Sequence, residues 1–218
     1  MAIPLSKTLD PADFADLPEE LAVVDRYFMR DREQHPMRRW EYALALLAHT
    51  VWAARPTPAG PIYDVGGSGS PFYRMLDPYQ VHVIDPKEQH GQDLNAFVQS
   101  GPRLGAAVFC ISVVEHIPLT EIDRFIYHLL CLTAPGGLLF LTVDYCDAIT
   151  YPVPDTYDLH HMRAQIFNAY TLGQLTARFL YRDFSLLGPA KYGWHGTHVG
   201  PPGPTAYTFA SIALVKRP

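Results

Sequence analysis

Residues Pro61–Pro71 read Pro-Ile-Tyr-Asp-Val-Gly-Gly-Ser-Gly-Ser-Pro, and the reading of the rest of the chain starts from this stretch. Ile62 to Val65 supply a short apolar strand. Gly66, Gly67 and Gly69 form a turn in which backbone can approach a ligand with no Cβ in the way. Ser70 suits a helix N-cap and Pro71 the first helical position, where its missing N–H costs nothing. The free N–H groups of a helix start favour the negative or polar end of a ligand.

A second apolar strand follows in Val81-His82-Val83-Ile84, closed by Asp85 and Pro86. A carboxylate at that place can accept both hydroxyls of a ribose, and such charge-assisted bonds are worth about 1.5–3 kcal/mol each. A glycine turn after one strand and an acid closing the next make the nucleoside-binding corner of a doubly wound sheet.

Asp64-Val65-Gly66-Gly67-Ser68-Gly69-Ser70 resembles the first motif of the class I S-adenosylmethionine-dependent methyltransferases, with Ser68 and Ser70 where the usual spacing has glycines. A dinucleotide fingerprint fits less well. Counted from Gly66 it meets Ser68 and Pro71, counted from Gly67 it meets Phe72, and no Walker-type lysine follows. Later segments keep the family's order. Ala106 to Ile111 is a continuous apolar run suited to a parallel strand buried on both faces. It leads into Ser112-Val113-Val114-Glu115-His116-Ile117-Pro118, a close likeness of the family's stretch after the fourth strand. Thr120 is read as the cap of a helix with Ile122, Phe125, Ile126, Leu129 and Leu130 on its buried side. Pro135-Gly136-Gly137 ends that helix, and Leu138–Val143 is a further apolar strand. Thr171 is read as the cap of a helix carrying Leu172, Leu175 and Phe179, and Phe184–Leu187 and Tyr207–Val215 as an antiparallel pair.

The resemblance implies an α/β fold: a doubly wound, mainly parallel sheet of seven strands, or six if the third is lost, with a C-terminal antiparallel hairpin and N-terminal helices. Only seven residues separate Asp85 from Asp93, which leaves the third strand and the helix before it in question. Residues 1–60 are expected to form a helical lead-in, with Leu21, Val24 and Phe28 on one helix. Trp40, Ala43, Leu44, Leu47 and Val51 form the stripe of a second helix. Arg39, Trp40, Glu41 and Tyr42 either edge the ligand mouth or are a core tryptophan beside solvated charges. Residues 61–218 form the methyltransferase domain, with an insertion at about 145–170.

By the same resemblance the cofactor is S-adenosylmethionine. The residues carried over to hold it are Asp64, Gly66, Gly67, Ser68, Gly69, Asp85, Pro86, Asp93, Leu94, Ser112 and Val113, with Asp93 on the adenine amine. The activity implied is methyl transfer to a small molecule. The alternatives are a non-catalytic binding protein on the same fold and a nucleotide-dependent oxidoreductase. Within the insertion, His160 and His161 are candidates for a catalytic base, and Tyr157 and Arg163 for acceptor contacts. These residues read equally well as a solvated lid.

Composition narrows the partners. The 218 residues carry a net charge of −5 and are 48% apolar, enough for a sizeable core. The longest basic run is a pair, which argues against a stable nucleic-acid partner or an anionic membrane. Cys110, Cys131 and Cys146 are too scattered for a disulfide framework. His195 and His198, with His160, His161 and Cys146, are too loosely spaced for zinc, so no metal is expected. The opening Met-Ala-Ile-Pro-Leu-Ser-Lys lacks a basic start followed by an apolar run. No membrane span and a cytoplasmic location are expected.

Overall fold

The computed structural model describes residues 3–28, 38–76, 79–87, 92–147, 166–193 and 207–218. The lead-in comprises β1 (Ser6–Lys7), α1 (Asp13–Asp16), α2 (Pro18–Phe28) and α3 (Arg38–Ala53). Next come β2 (Ile62–Val65), α4 (Phe72–Met75), β3 (Val81–Ile84), α5 (Leu94–Gln99) and β4 (Gly105–Ile111). A 3-10 turn at Val114–His116 leads to α6 (Ile122–Leu132) and β5 (Thr133–Tyr145). The chain closes with α7 (Ala169–Leu180), β6 (Phe184–Leu186), β7 (Ala190–Lys191) and β8 (Thr208–Lys216).

Among the described residues the main sheet has six strands in the order β3-β2-β4-β5-β8-β6. The first four are parallel, β8 runs antiparallel to β5, and β6 antiparallel to β8. Of the two strand counts open from the sequence, six is the one realised. Between β3 and β4 the described residues hold α5 and no strand, so the shortened segment after Asp85 corresponds to a lost third strand. The chain builds β3 on one side of β2 and β4 on the other. This reversal opens a crevice at the carboxyl ends of β2 and β4, where ligands bind in open α/β sheets.

The period-2 alternation of β4 and β5 sorts the core onto two faces. Phe109, Leu138 and Phe140 pack with the lead-in helices, whereas Val108, Cys110, Leu139, Leu141 and Val143 pack with α5, α6 and α7. Helix α3 runs over the first face from the carboxyl ends of the central strands to their amino ends. Glu41 near its start meets the carboxyl ends of β4 and β5. Trp52 near its end donates its indole N–H to the Gly136 carbonyl at 2.9 Å. Its stripe is wider than Trp40, Ala43 and Leu44 alone: Glu41, Ala45, Ala48 and Trp52 are also buried, whereas Val51 is exposed. An i, i+4, i+7, i+11 series that includes a glutamate reads as polar on paper and lies inside in the fold.

Four local readings are corrected. The cap of α7 is Asn168, which accepts from the Thr171 N–H at 2.9 Å, while the Thr171 hydroxyl accepts from the Asn168 N–H at 2.9 Å. Two polar residues three positions apart satisfy each other's backbone, and the earlier one takes the cap. Helix α6 starts after Glu121 without a side-chain cap, so Thr120 does not cap it. It ends at Leu132, before Pro135-Gly136-Gly137, which lies within β5 at an irregularity between Gly105 paired with Thr133 and Ala107 paired with Leu138. The lead-in also contributes strand: β1 pairs with β7, and the Ser6 hydroxyl accepts from the Ala213 N–H at 2.9 Å. Beside it a buried Lys7–Asp13 ion pair receives the Trp40 indole N–H on Asp13 at 2.7 Å. Two-residue pairing carries no periodic signal, so it was invisible in sequence.

Candidate active site

The glycine turn follows β2 directly. Gly66 donates to the Ile84 carbonyl at 2.9 Å, which extends the β2–β3 ladder one step into the turn. Gly66 and Gly69 have φ of +79° and +74°, the left-handed region that favours glycine. Their neighbours differ. A Cβ on Gly66 would lie 2.3 Å from a methyl of Val113, one on Gly67 2.2 Å from Asp64 Oδ2, and one on Gly69 would meet nothing. Close approach is therefore enforced at Gly66 and Gly67, and backbone conformation alone at Gly69. The Ser70 hydroxyl accepts from the Phe72 N–H at 3.1 Å and opens the one-turn helix α4.

Asp85 is 7% exposed and its two carboxylate oxygens face different backbone groups. Oδ2 accepts from the Ser68 N–H at 3.1 Å and Oδ1 from the Lys87 N–H at 2.8 Å. One amide of the turn is thus spent on the acid that closes the next strand. A carboxylate has about four lone-pair sites, so each oxygen of Asp85 keeps capacity for a further donor. Asp64 is 2% exposed and its Oδ2 has no hydrogen-bond partner. Burial first, and then the nearby charge of Asp85, raise its pKa to about 7.

The carboxyl end of β4 is held by a second polar group. Ser112 takes φ of +51°, which costs a residue with a Cβ roughly 1–2 kcal/mol. Its N–H donates to Thr142 Oγ1 at 2.9 Å, and its hydroxyl donates to Glu41 Oε1 at 2.6 Å. The Thr142 hydroxyl donates to the same Glu41 oxygen. Glu41 is fully buried, and its other oxygen has no hydrogen bond, with the Arg38 guanidinium 4.0 Å away. Burial raises the Glu41 pKa, while Arg38, Ser112 and Thr142 act against that rise. Glu115, in the turn after β4, is 1% exposed with neither oxygen partnered. Burial, then the neighbouring Asp144, push its pKa well up. Burial works against the charge of Arg38, yet Glu41, Tyr42, Asp144 and Glu115 together raise its pKa above the ordinary value. Trp40 belongs to the core, but the charges beside it are not all solvated: Glu41 is among the most buried groups of the molecule.

This architecture has solved relatives in shape. The 1,6-didemethyltoxoflavin-N1-methyltransferase of Burkholderia thailandensis, crystallised with 1,6-didemethyltoxoflavin and S-adenosylhomocysteine, matches with a TM-score of 0.54 and 17% identity over 100% of this chain and 94% of that one. The N-methyltransferase NodS of Bradyrhizobium japonicum WM9, in complex with S-adenosylhomocysteine, matches with a TM-score of 0.54 and 15% identity over 93% and 97%. The complex of DhpI with S-adenosylhomocysteine gives a TM-score of 0.51 and 16% identity over 93% and 97%. No protein-family model matches the sequence, and no curated protein matches it either.

The fold is that of the class I methyltransferases.

Within that methyltransferase fold, Asp64, Gly66, Gly67, Ser68, Gly69 and Asp85 come together at the crevice between β2 and β4, with Ser112 and Val113 on its β4 side. Pro86 is exposed beside Asp85. Asp93 is the N-cap of α5, where its carboxylate accepts from the Ala96 N–H at 2.8 Å. Leu94 is buried in the core beneath it. Tyr157, His160, His161, Arg163, His195 and His198 lie outside the described residues. Among the described residues no group of three His, Cys, Asp or Glu could hold a metal, and no helix is long and apolar enough to cross a membrane. Glu41 stood in the sequence between two readings, an edge of the ligand mouth or a solvated charge, while Thr142 and Glu115 carried no site reading. The available signal was the buried helical spacing of Glu41 with Ala45, Ala48 and Trp52.

Proposed function

We propose that this protein is an S-adenosylmethionine-dependent methyltransferase acting on a small molecule. The observation that carries the reading is the corner at the β2–β4 switch point. A glycine turn leaves backbone bare there, and Asp85 closes the neighbouring strand with acceptor capacity to spare. The residues fit the cofactor. Asp85 would accept the ribose hydroxyls, and Gly69, where a Cβ would meet nothing, would leave room for close approach. Val113 would flank it, with Pro86, Asp93 and Leu94 on the side of the base. The orphaned oxygen of Asp64, buried under the turn, suits a donor from the ligand or from a water that the ligand orders. Bound there, the cofactor supplies a methyl group already activated on a sulfonium. The chain's own work is to bind, orient and exclude water, and alignment of that kind is worth effective molarities of about 10⁵–10⁸ M.

A small-molecule acceptor is supported by the N-methyltransferases among the neighbours and by an acidic chain with no basic cluster. His160 and His161 are our candidates for the acceptor's base, since an imidazole with an ordinary pKa near 6.5 is poised for it. Tyr157 and Arg163 are the candidates for acceptor contacts.

Titration of S-adenosylhomocysteine into the purified protein tests the core of this reading. Saturable binding is expected, and Asp85→Ala should weaken it about tenfold or more, equal to at least 1.4 kcal/mol. Absence of binding to the intact protein would end the proposal. For the histidines, His160→Ala and His161→Ala are each measured for cofactor affinity and for methyl transfer. Loss of transfer with affinity kept supports a base on the acceptor side, and normal transfer in both variants removes it.

A further inference from the structure

Glu41 belongs to the lead-in helix α3, yet its carboxylate is spent on the crevice edge of the sheet. Its Oε1 receives two hydroxyl donors, from Ser112 at the end of β4 and from Thr142 in β5. Among the described residues no cation stands closer than Arg38, 4.0 Å from the other oxygen. The residue it grips is strained. Ser112 is one of two non-glycine residues with positive φ among the described residues, and its N–H and its hydroxyl are both tied down. A strained conformation persists where its surroundings over-determine it, and such positions cluster at functional sites.

The left-handed turn at Ser112 has a direct consequence. It redirects the chain out of β4 so that Val113 packs against the bare face of Gly66, so closely that a Cβ there would be 2.3 Å from a Val113 methyl. The contacts therefore run in one line, from Glu41 to Ser112, from Ser112 to Val113, and from Val113 to the glycine turn.

We propose that Glu41 is a positioning residue for the cofactor corner: from the lead-in helix it holds Ser112 in its left-handed turn, and Ser112 sets Val113 against Gly66. The cofactor part of this rests on the function proposed above. The geometric part does not. On this account the accepting oxygen matters and the negative charge does not, because the two donors are neutral hydroxyls. A glycine at position 112 would also make the grip unnecessary, since glycine adopts a left-handed conformation unaided.

The experiment compares wild type with Glu41→Gln, Glu41→Ala and the double variant Glu41→Ala/Ser112→Gly. Amide hydrogen exchange is followed in the ligand-free proteins, and S-adenosylhomocysteine affinity is measured by calorimetry. Glu41→Ala should raise exchange about tenfold at Gly66–Gly69 and Ser112–Val113 while β5 and β8 stay protected, and weaken affinity by a similar factor. Glu41→Gln, which keeps the accepting oxygen, should stay within about threefold of wild type in both readouts, and the double variant should return toward wild type. A uniform rise in exchange across the sheet would overturn the proposal, because Glu41 would then only hold the fold together. Failure of Ser112→Gly to restore the corner would overturn it too, as would unchanged exchange in Glu41→Ala. If wild type shows no affinity for S-adenosylhomocysteine but the exchange pattern holds, the proposed function fails and the positioning role stands.

Discussion

The two ends of the parallel strands are built on opposite terms. At the amino end lies an open cavity of about 510 Å³ walled by Tyr63, Tyr79, His82 and Arg103. Little is under tension there: the Tyr63 hydroxyl donates to the Arg103 carbonyl at 2.7 Å, and the arginine and histidine are exposed. At the carboxyl end there is far more stored polarity. Asp64 Oδ2, Glu41 Oε2 and both oxygens of Glu115 are buried without hydrogen bonds, and Ser112 is held in a left-handed turn. Buried unpaired carboxyl oxygens are destabilising, commonly by about 1–3 kcal/mol or more each. A fold that keeps several of them at one edge is spending stability there, as functional sites do.

The contrast is broken most sharply at Gly66. Gly66→Val places a branched side chain on the Val113 methyls and demands a backbone region such residues avoid. S-adenosylhomocysteine binding should fall below detection, while amide protection in β5 and β8 persists. A normal dissociation constant in this variant would make the turn a purely structural device.

Asp64 tests the stored polarity itself. Its pKa is near 7 in the folded chain against 3.8 ordinarily, so the folded protein keeps a proton that the unfolded chain releases. Stability from this group is therefore undiminished below about pH 4, declines as pH rises to about 7, and is level above. Asp64→Asn removes the decline. It should gain up to about 4 kcal/mol at pH 8 and nothing at pH 3. Urea unfolding of both proteins across that range is the check, and parallel pH profiles would show that Asp64 ionises without penalty.

The smallest effect is expected at the amino end. Arg103→Ala leaves the Tyr63 bond intact, because that bond uses backbone, and should change S-adenosylhomocysteine affinity by less than about twofold. A larger change, read by the same calorimetry, would tie the open cavity to the site and erase the distinction drawn between the two ends.

Much of this was legible in the linear chain. Short apolar runs with a strand's length, broken by Gly66-Gly67, by Asp85-Pro86 and by helices with clear stripes, identified the parallel half of the sheet and its crevice. The short interval between Asp85 and Asp93 already pointed to the lost strand. The caps of α6 and α7 were less legible, because Thr120, Asn168 and Thr171 are all able cappers and only backbone geometry chooses among them.

What the sequence by itself determined is the order of elements, the glycine turn, and the acid that closes the second strand, because local periodicity and residue type encode these within a few neighbouring positions. What only the tertiary structure decided is which polar groups are buried together. Glu41 meets Ser112 across 71 positions of chain and Thr142 across 101. A glutamate two residues from Arg39 carries the same local signal whether it points to water or into the sheet. Its partners and its desolvation exist only once α3 has crossed the strands.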